Sequence, residues 1–378
     1  MKRLLMMVLA VSVLLTGCGW LSGSYASVTP HQQQSVGNDS QVEVAENYLQ
    51  LRTALANMVS AGVESSVISV ANFSPEQLAD SVDMAVRYVK NNYPIGAYAV
   101  DEIRYEVGNI GGVSAVAVEI TYVHEKYEIQ RIRRVENMDQ VREMLHNALT
   151  EYQSGLLLHI TDYQVADIQQ MVEDFASANP SLVMETPEVS IRLYPDAGRE
   201  RVMELKFTYQ SSRDTLRTMR EIVRRIFDSA ALYVSHGAQD TQKLSQLYAF
   251  LMERFDSYQV KTSITPAYSL LNHGVGDSAA FAEVYAEMCD RAGLECLVVV
   301  GTRRGEPWCW NIVQDQGYYY HVDLLDCQTW GGFRCLRDDQ MGDYVWDYSA
   351  YPACTGEPAA WNLEETTEPV PESTEPET

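Results

Sequence analysis

The sequence predicts an α+β protein in which two tandem copies of a small module precede a larger α+β domain. Two observations carry this prediction. The order helix, strand, helix, hairpin runs through residues 43–136 and again through residues 137–212. Short sequences also recur at an offset of about 87 residues, since the Gln-Leu-Ala-Asp of residues 77–80 returns as the Gln-Val-Ala-Asp of residues 164–167. A recurrence that keeps both order and spacing favours a tandem duplication.

In the first module we predict an amphipathic helix at about 43–60 and a short apolar strand at 67–70. A second helix is predicted at 75–92, because a serine followed by proline is a typical helix start. Two alternating segments, at about 98–108 and 113–123, flank an Asn-Ile-Gly-Gly sequence and predict a β-hairpin.

Neither module contains a nucleophile, a metal-binding cluster or a glycine-rich phosphate loop, so we interpret the modules as spacers or binding surfaces. A third helix at about 213–227 and a strand at 231–234 open another round of the pattern. A helix at about 240–255 then leads into different sequence, and we place the last domain at residues 213–354.

The N-terminal sequence has the features of an export signal at residues 1–17. Lys2 and Arg3 precede a short apolar segment at 4–15, which ends in Leu-Thr-Gly followed by Cys18. This ending resembles the lipobox of bacterial lipoproteins, in which the cysteine thiol receives diacylglycerol. The resemblance implies a protein held at the extracytoplasmic face of the cell membrane through lipidated Cys18. An ordinary signal peptide with an unrelated cysteine is the alternative.

The charge of the chain is strongly acidic, with 52 aspartate and glutamate residues against 28 lysine and arginine residues. Such a balance repels phosphate backbones and anionic lipid, which argues against nucleic acid as a partner. Part of the excess lies in residues 355–378, which carry seven glutamates and no basic residue and are predicted to be disordered. Residues 18–42 are predicted to be a flexible tether. We expect no metal and no cofactor.

The six cysteines other than Cys18 all fall in the last third of the chain, and no two of them have Cys-x-x-Cys spacing. Cys327, Cys335 and Cys354 lie in loop-like sequence, where an oxidising compartment would allow disulfides. Free, buried thiols are the alternative, and the sequence leaves both open.

From about residue 240 to residue 354 the chain carries the features of a known superfamily. A glycine-rich turn at 270–278 leads into a helix, and a strand at 296–300 follows. A Trp-Cys-Trp-Asn sequence then begins at Trp308, and a tyrosine-rich strand ends at Asp323. In order and spacing this segment resembles the transglutaminase-like superfamily, whose core is papain-like.

The resemblance implies a catalytic triad whose positions here hold Ser278, Trp308 and Asp323. The superfamily places a cysteine at a helix N-terminus, where the helix dipole favours the thiolate, and pairs it with a histidine that an aspartate orients. A serine hydroxyl needs a general base more than a thiol does, and an indole cannot accept a proton. The triad is therefore predicted to be degenerate, and the domain to be retained for binding an envelope peptide, glycan or protein.

Two alternatives stay open. A serine-dependent amide hydrolase or acyl transferase would use Ser278 with His321, which shares a strand face with Asp323, or with His273 in the glycine turn. A structural envelope protein would act through its repeats. Cys309 is predicted to point away from the face of Trp308 and to lie in the core.

Overall fold

The computed structural model describes residues 43–70, 72–110, 112–254, 256–257 and 264–356. The predicted signal peptide, Cys18, the tether and all of the acidic segment from residue 357 onward lie outside the described residues. Within the described part, none of the helices is both long enough and apolar enough to cross a bilayer.

The described chain forms eleven helices and fourteen strands besides a short 3-10 turn at Asp338–Gln340. The helices are α1 (Tyr48–Ala61), α2 (Pro75–Asn91), α3 (Pro94–Ala99), α4 (Lys126–Gln130), α5 (Met138–Thr150), α6 (Ile168–Ala178), α7 (Arg213–Tyr233), α8 (Asp240–Met252), α9 (Pro266–His273), α10 (Ser278–Arg291) and α11 (Leu324–Trp330). The strands are β1 (Glu43–Val44), β2 (Ser65–Ser69), β3 (Val100–Ile110), β4 (Val113–Tyr122), β5 (Arg133–Val135), β6 (Gly155–Ile160), β7 (Glu188–Tyr194), β8 (Arg201–Thr208), β9 (Asp256–Ser257), β10 (Val275–Gly276), β11 (Cys296–Arg303), β12 (Glu306–Asp315), β13 (Tyr318–Val322) and β14 (Tyr344–Trp346). The predicted mixed α+β class is confirmed.

The first unit is a four-stranded sheet in the order β1-β2-β4-β3, with α1 and α2 packed on one face. The helix expected at 43–60 begins only at Tyr48, because Asn47 caps it by accepting a hydrogen bond from the Gln50 amide at 3.0 Å. Residues 43–44 instead pair in parallel with β2. The helix α3, which the sequence did not predict, precedes the hairpin of β3 and β4.

The second unit has an equivalent strand order, β5-β6-β8-β7, with α5 and α6 on one face, and its element order matches that of the first unit except that α3 has no counterpart. Its first strand is β5, which pairs in parallel with β6. The second unit therefore begins at Arg133, four residues before the predicted boundary at residue 137.

The two units are in direct contact. Tyr98 and Ala99 of α3 are buried against Val202 on the outer face of the second sheet. The Tyr98 ring also meets the Tyr194 ring edge-on, with centroids 5.4 Å apart.

The third unit begins with α7, and here one prediction was wrong. The strand expected at 231–234 is absent because α7 continues to Tyr233. Its buried side chains keep helical spacing through Val223, Phe227 and Ala230, so the apolar stripe stays on the core side of one unbroken helix.

The sheet of the third unit has the order β13-β12-β11-β14. One face packs against α10, where the Asn311 side chain donates to the Ala282 carbonyl at 2.9 Å. The other face is covered by residues 336–354. Gly301 of β11 lets the neighbouring strands β14 and β12 approach closely, since a Cβ there would meet the Val345 carbonyl oxygen at 2.3 Å and the Trp310 ring at 2.9 Å.

Candidate functional site

The predicted nucleophile position lies at the N-terminus of α10. Asp277 caps this helix by accepting a hydrogen bond from the Ala280 amide at 3.0 Å, and Ser278 is the first helical residue. The Ser278 side chain is buried, and its Oγ accepts a hydrogen bond from the Cys309 amide at 3.1 Å. The serine therefore sits at the positive end of a helix dipole, directly against the start of β12.

Asp323 is the most heavily bonded side chain of the site. Its Oδ1 accepts from the Leu325 and Asp326 amides at 3.0 and 3.1 Å and so caps α11. Its Oδ2 accepts from the Tyr344 hydroxyl at 2.7 Å and from Arg303 at 3.4 Å. The residue is only 3% exposed, and the Arg303 guanidinium supplies the opposite charge that a buried carboxylate requires.

Trp308 is the residue that the sequence resemblance aligns with the general base of the superfamily. Its indole Nε1 donates to Asp323 Oδ2 at 2.7 Å. An imidazole at this position would donate to the aspartate in the same way and would present a second nitrogen to the nucleophile. The indole has no second nitrogen, so the hydrogen bond to Asp323 is kept while the proton acceptor is missing.

His321 does not replace the missing base. Its Nδ1 accepts from the Trp310 indole at 2.9 Å, and its Nε2 is 2.8 Å from Asp338 Oδ1. The ring is fully buried on the far face of the sheet from α10, and burial lowers the pKa of His321. Within the described residues, no histidine nitrogen lies within hydrogen-bonding distance of Ser278 Oγ, so the geometry opposes a Ser278–His321–Asp323 site. His273, the other candidate, has its ring edge-on to Tyr268.

One group of side chains in the described part has metal-ligand composition, namely His321, Asp338 and Cys354, whose ligand atoms lie within 4.8 Å of one another. The Trp310 hydrogen bond opposes a metal there. Because the indole can only donate, Nδ1 of His321 must accept and Nε2 must carry the proton, which then donates to Asp338. A metal on Nε2 would displace that proton, so we interpret the group as a structural hydrogen-bond network.

A cleft of about 440 Å³ opens beside Ser278. It runs between the start of α10 and the β11 and β12 strands, and Trp308 forms one wall. Most of its other side chains are small or apolar, among them Ala279, Val300, Pro307 and Leu325. The cleft therefore suits an extended ligand with apolar groups more than a highly charged one.

Cys309 also lines this cleft, where its thiol is half-buried. Burial, with Glu283 and Asp277 nearby, raises the pKa of Cys309 to about 11. The thiol is therefore protonated at neutral pH and does not act as a thiolate nucleophile. It faces away from Trp308 as predicted, but it does not lie in the core. All six described cysteines are free thiols.

Sequence reasoning missed Glu283, a buried acid in the middle of α10. It accepts a hydrogen bond from the Ser177 hydroxyl of α6, in the second unit. Burial raises the pKa of Glu283 to about 7. No signal in the sequence pointed to this pair, because its two residues are 106 positions apart and each sits in an ordinary helical pattern.

We expect Glu283→Gln to stabilise the protein at alkaline pH. Below pH 4.5 the carboxyl is protonated in both the folded and the unfolded state, so it has no effect. Between pH 4.5 and pH 7 only the unfolded state ionises, and the cost grows until it is complete above pH 7. One pKa unit corresponds to about 1.4 kcal/mol, so a shift from 4.5 to about 7 should give the variant a gain on the order of 3 kcal/mol at pH 8.

Urea unfolding at pH 5 and pH 8 checks this expectation. Glu287→Gln, on the same helix, is the matched control, because Glu287 pairs with Arg291 near the surface. A difference between Glu283→Gln and wild type that stays the same at both pH values would contradict the prediction.

Comparison with known proteins supports the interpretation of this unit. Residues 228–334 match the model of the Transglutaminase-like superfamily, which confirms the resemblance for this part of the chain. No curated protein matches the chain. The crystal structure of a TGase is similar at 11% identity and a TM-score of 0.25, over 58% of this chain and 63% of that one. A protein from Parabacteroides distasonis ATCC 8503, described as a proposed protease, is similar at 9% identity and a TM-score of 0.22, over 68% of this chain and 39% of that one. The chain thus spans less than two thirds of either.

Proposed function

We propose that the transglutaminase-like domain of this chain is a binding domain that has lost its ancestral chemistry, carried by a lipoprotein of the bacterial envelope. The observation that carries the proposal is the 2.7 Å hydrogen bond from Trp308 to Asp323. This bond keeps the contact between the second and third triad positions. The indole, however, has no nitrogen lone pair that could accept the proton of the Ser278 hydroxyl. Ser278 cannot supply the missing step by itself, since a helix dipole worth about 1 kcal/mol does not ionise a hydroxyl.

The ligand that fits the cleft best is a peptide in extended conformation. The walls offer an indole edge, a proline and aliphatic side chains, which pack against apolar peptide side chains. The Arg303 guanidinium lies near the Trp308 ring, at 5.4 Å from its centroid, but its charge is matched by Asp323 and Asp326. The cleft therefore carries no unpaired cation for an anionic ligand, and an uncharged, apolar peptide segment of an envelope protein suits it best.

We expect Trp308→Ala to weaken peptide binding at least tenfold, because the indole is the largest side chain of the cleft. Isothermal titration with N-acetylated, C-amidated peptides of five apolar residues measures this, and titration with an N-acetylglucosamine tetramer tests a glycan ligand. Trp330→Ala is the matched control, since Trp330 is 70% exposed and does not line the cleft. If neither probe binds wild type, or if Trp330→Ala has the larger effect, the cleft is not the binding site.

Membrane anchoring through Cys18 is a separate part of the proposal and rests on the lipobox resemblance alone. We expect wild type to sediment with membranes and to incorporate an alkyne analogue of palmitate. Cys18→Ala should abolish the label and release the protein from the membrane fraction. Equal labelling of both proteins would show that Cys18 is not the lipidated residue.

A further inference from the structure

The distribution of unpaired cations is uneven in this acidic chain. Among the described residues, seven lysine and arginine side chains make no hydrogen bond, ion pair or ring contact. Two of them, Lys126 and Arg225, lie outside the second sheet and do not line the cavity over it. The other five lie on or beside the second sheet and are called the basic cluster below: Arg131, Arg133, Arg134, Arg192 and Lys206.

The basic cluster surrounds a concave site between the first two units. Strand alternation turns Leu158 and Leu205 toward the core of the second unit, so Lys206 projects from the opposite, outer face. A cavity of about 450 Å³ lies over that face. Arg131, Arg133 and Lys206 line it, and Tyr98 of the first unit closes one side.

Two carboxylates, Glu128 and Glu204, also line the cavity, against the three cations Arg131, Arg133 and Lys206. Glu128 accepts from the Glu125 amide at 2.9 Å and lies 3.6 Å from His124. Glu204 accepts from the Tyr194 hydroxyl at 3.5 Å. The cations therefore outnumber the carboxylates three to two, and the amides of Gln130 and Gln153 add hydrogen-bond donors. Such a set of groups suits clustered carboxylates.

We propose that the basic cluster binds an acidic peptide, and that its resident occupant is the glutamate-rich segment 357–378 of the same chain. That segment carries seven glutamates and no lysine or arginine. Its 22 residues span up to about 70 Å when extended. Covalent linkage supplies an effective concentration in the millimolar range, so weak charge pairing suffices for occupancy. This site is independent of the cleft beside Ser278.

Zero-length carbodiimide cross-linking of the full chain tests the proposal. Lys206 is the one amine of the basic cluster, so we expect intramolecular amide bonds from Lys206 to glutamates of segment 357–378, mapped by mass spectrometry. Lys126 is the matched control, being equally exposed and unpaired but outside the cluster. The Lys206 products should fall at least fivefold in 0.5 M salt and in Arg131→Glu/Arg133→Glu, which leaves Lys206 in place.

A second variant identifies the source of the acidic peptide. With the seven glutamates changed to glutamine, a synthetic peptide copying residues 362–378 should cross-link to Lys206, whereas wild type should exclude it. If Lys206 gives no product in either protein, or if Lys126 gives the same yield as Lys206, the basic cluster does not bind an acidic peptide. If wild type and the glutamine variant capture the peptide equally, segment 357–378 does not occupy the site.

Discussion

Ser278→Cys combined with Trp308→His is expected to create acyl-transfer activity that wild type lacks. The readout is a burst of p-nitrophenol from p-nitrophenyl acetate together with acylation of residue 278, identified by mass spectrometry. Wild type and Ser278→Ala should both remain at the background rate. The double variant should exceed that background by at least a hundredfold, which is the order of one general base.

The fold already provides two of the features that a cysteine–histidine pair needs, namely a helix N-terminus and a hydrogen-bonded aspartate. Residue 278 stands at the start of a 14-residue helix, where the dipole lowers the pKa of a thiol. An imidazole at position 308 would inherit the hydrogen bond to Asp323 Oδ2 and present its other nitrogen to the thiol. Neither change suffices alone. A thiol at position 278 still lacks its base while Trp308 is kept, and an imidazole opposite Ser278 meets only a weakly acidic hydroxyl.

Alkylation by iodoacetamide separates the two contributions. Ser278→Cys alone should react with the pH profile of an ordinary thiol. At pH 6 the double variant should react about tenfold faster than Ser278→Cys. Peptide mapping excludes Cys309, the other thiol of the cleft. A wild-type burst that disappears in Ser278→Ala would refute the proposed loss of chemistry and revive the serine-dependent alternative.

The sequence predicted the third unit well because its signals are local. A glycine turn before an apolar helix, and a strand that ends in aspartate, each depend on neighbours within a few residues. Trp308 and Asp323 were assigned to triad positions by resemblance, and the structure brings their side chains into contact. The 3.6-residue spacing of α7 is also visible in the sequence, but the short apolar run at 231–234 fits a strand as well as the end of a helix.

The remaining features of the site depend on contacts between distant segments. His321 looked available from sequence, since it shares a strand face with Asp323. Both of its ring nitrogens are already bonded, to Trp310 and to Asp338, which lies 17 residues away. The pKa of Glu283 likewise depends on burial against another unit. Local patterns contain no information about such partners.

Asp323→Asn is expected to destabilise the third unit by about 3–5 kcal/mol, the usual effect of removing one partner of a buried ion pair. The Asn side chain keeps one oxygen to cap α11, as Asp323 Oδ1 does now. Its amide nitrogen would then face Trp308, Tyr344 and Arg303, all of which are donors to Oδ2. Only the tyrosine hydroxyl can turn to accept, so two buried donors would lose their partner.

Tyr344→Phe is the matched control for this prediction. It removes one donor to Oδ2 but leaves the carboxylate and its charge pair with Arg303, so we expect a loss of about 1 kcal/mol. Urea unfolding at pH 7, followed by tryptophan fluorescence, measures both variants. If Asp323→Asn is no more damaging than Tyr344→Phe, the charge of Asp323 does not stabilise the fold. Retention of this aspartate would then have to be explained by the hydrogen-bond geometry of the cleft wall.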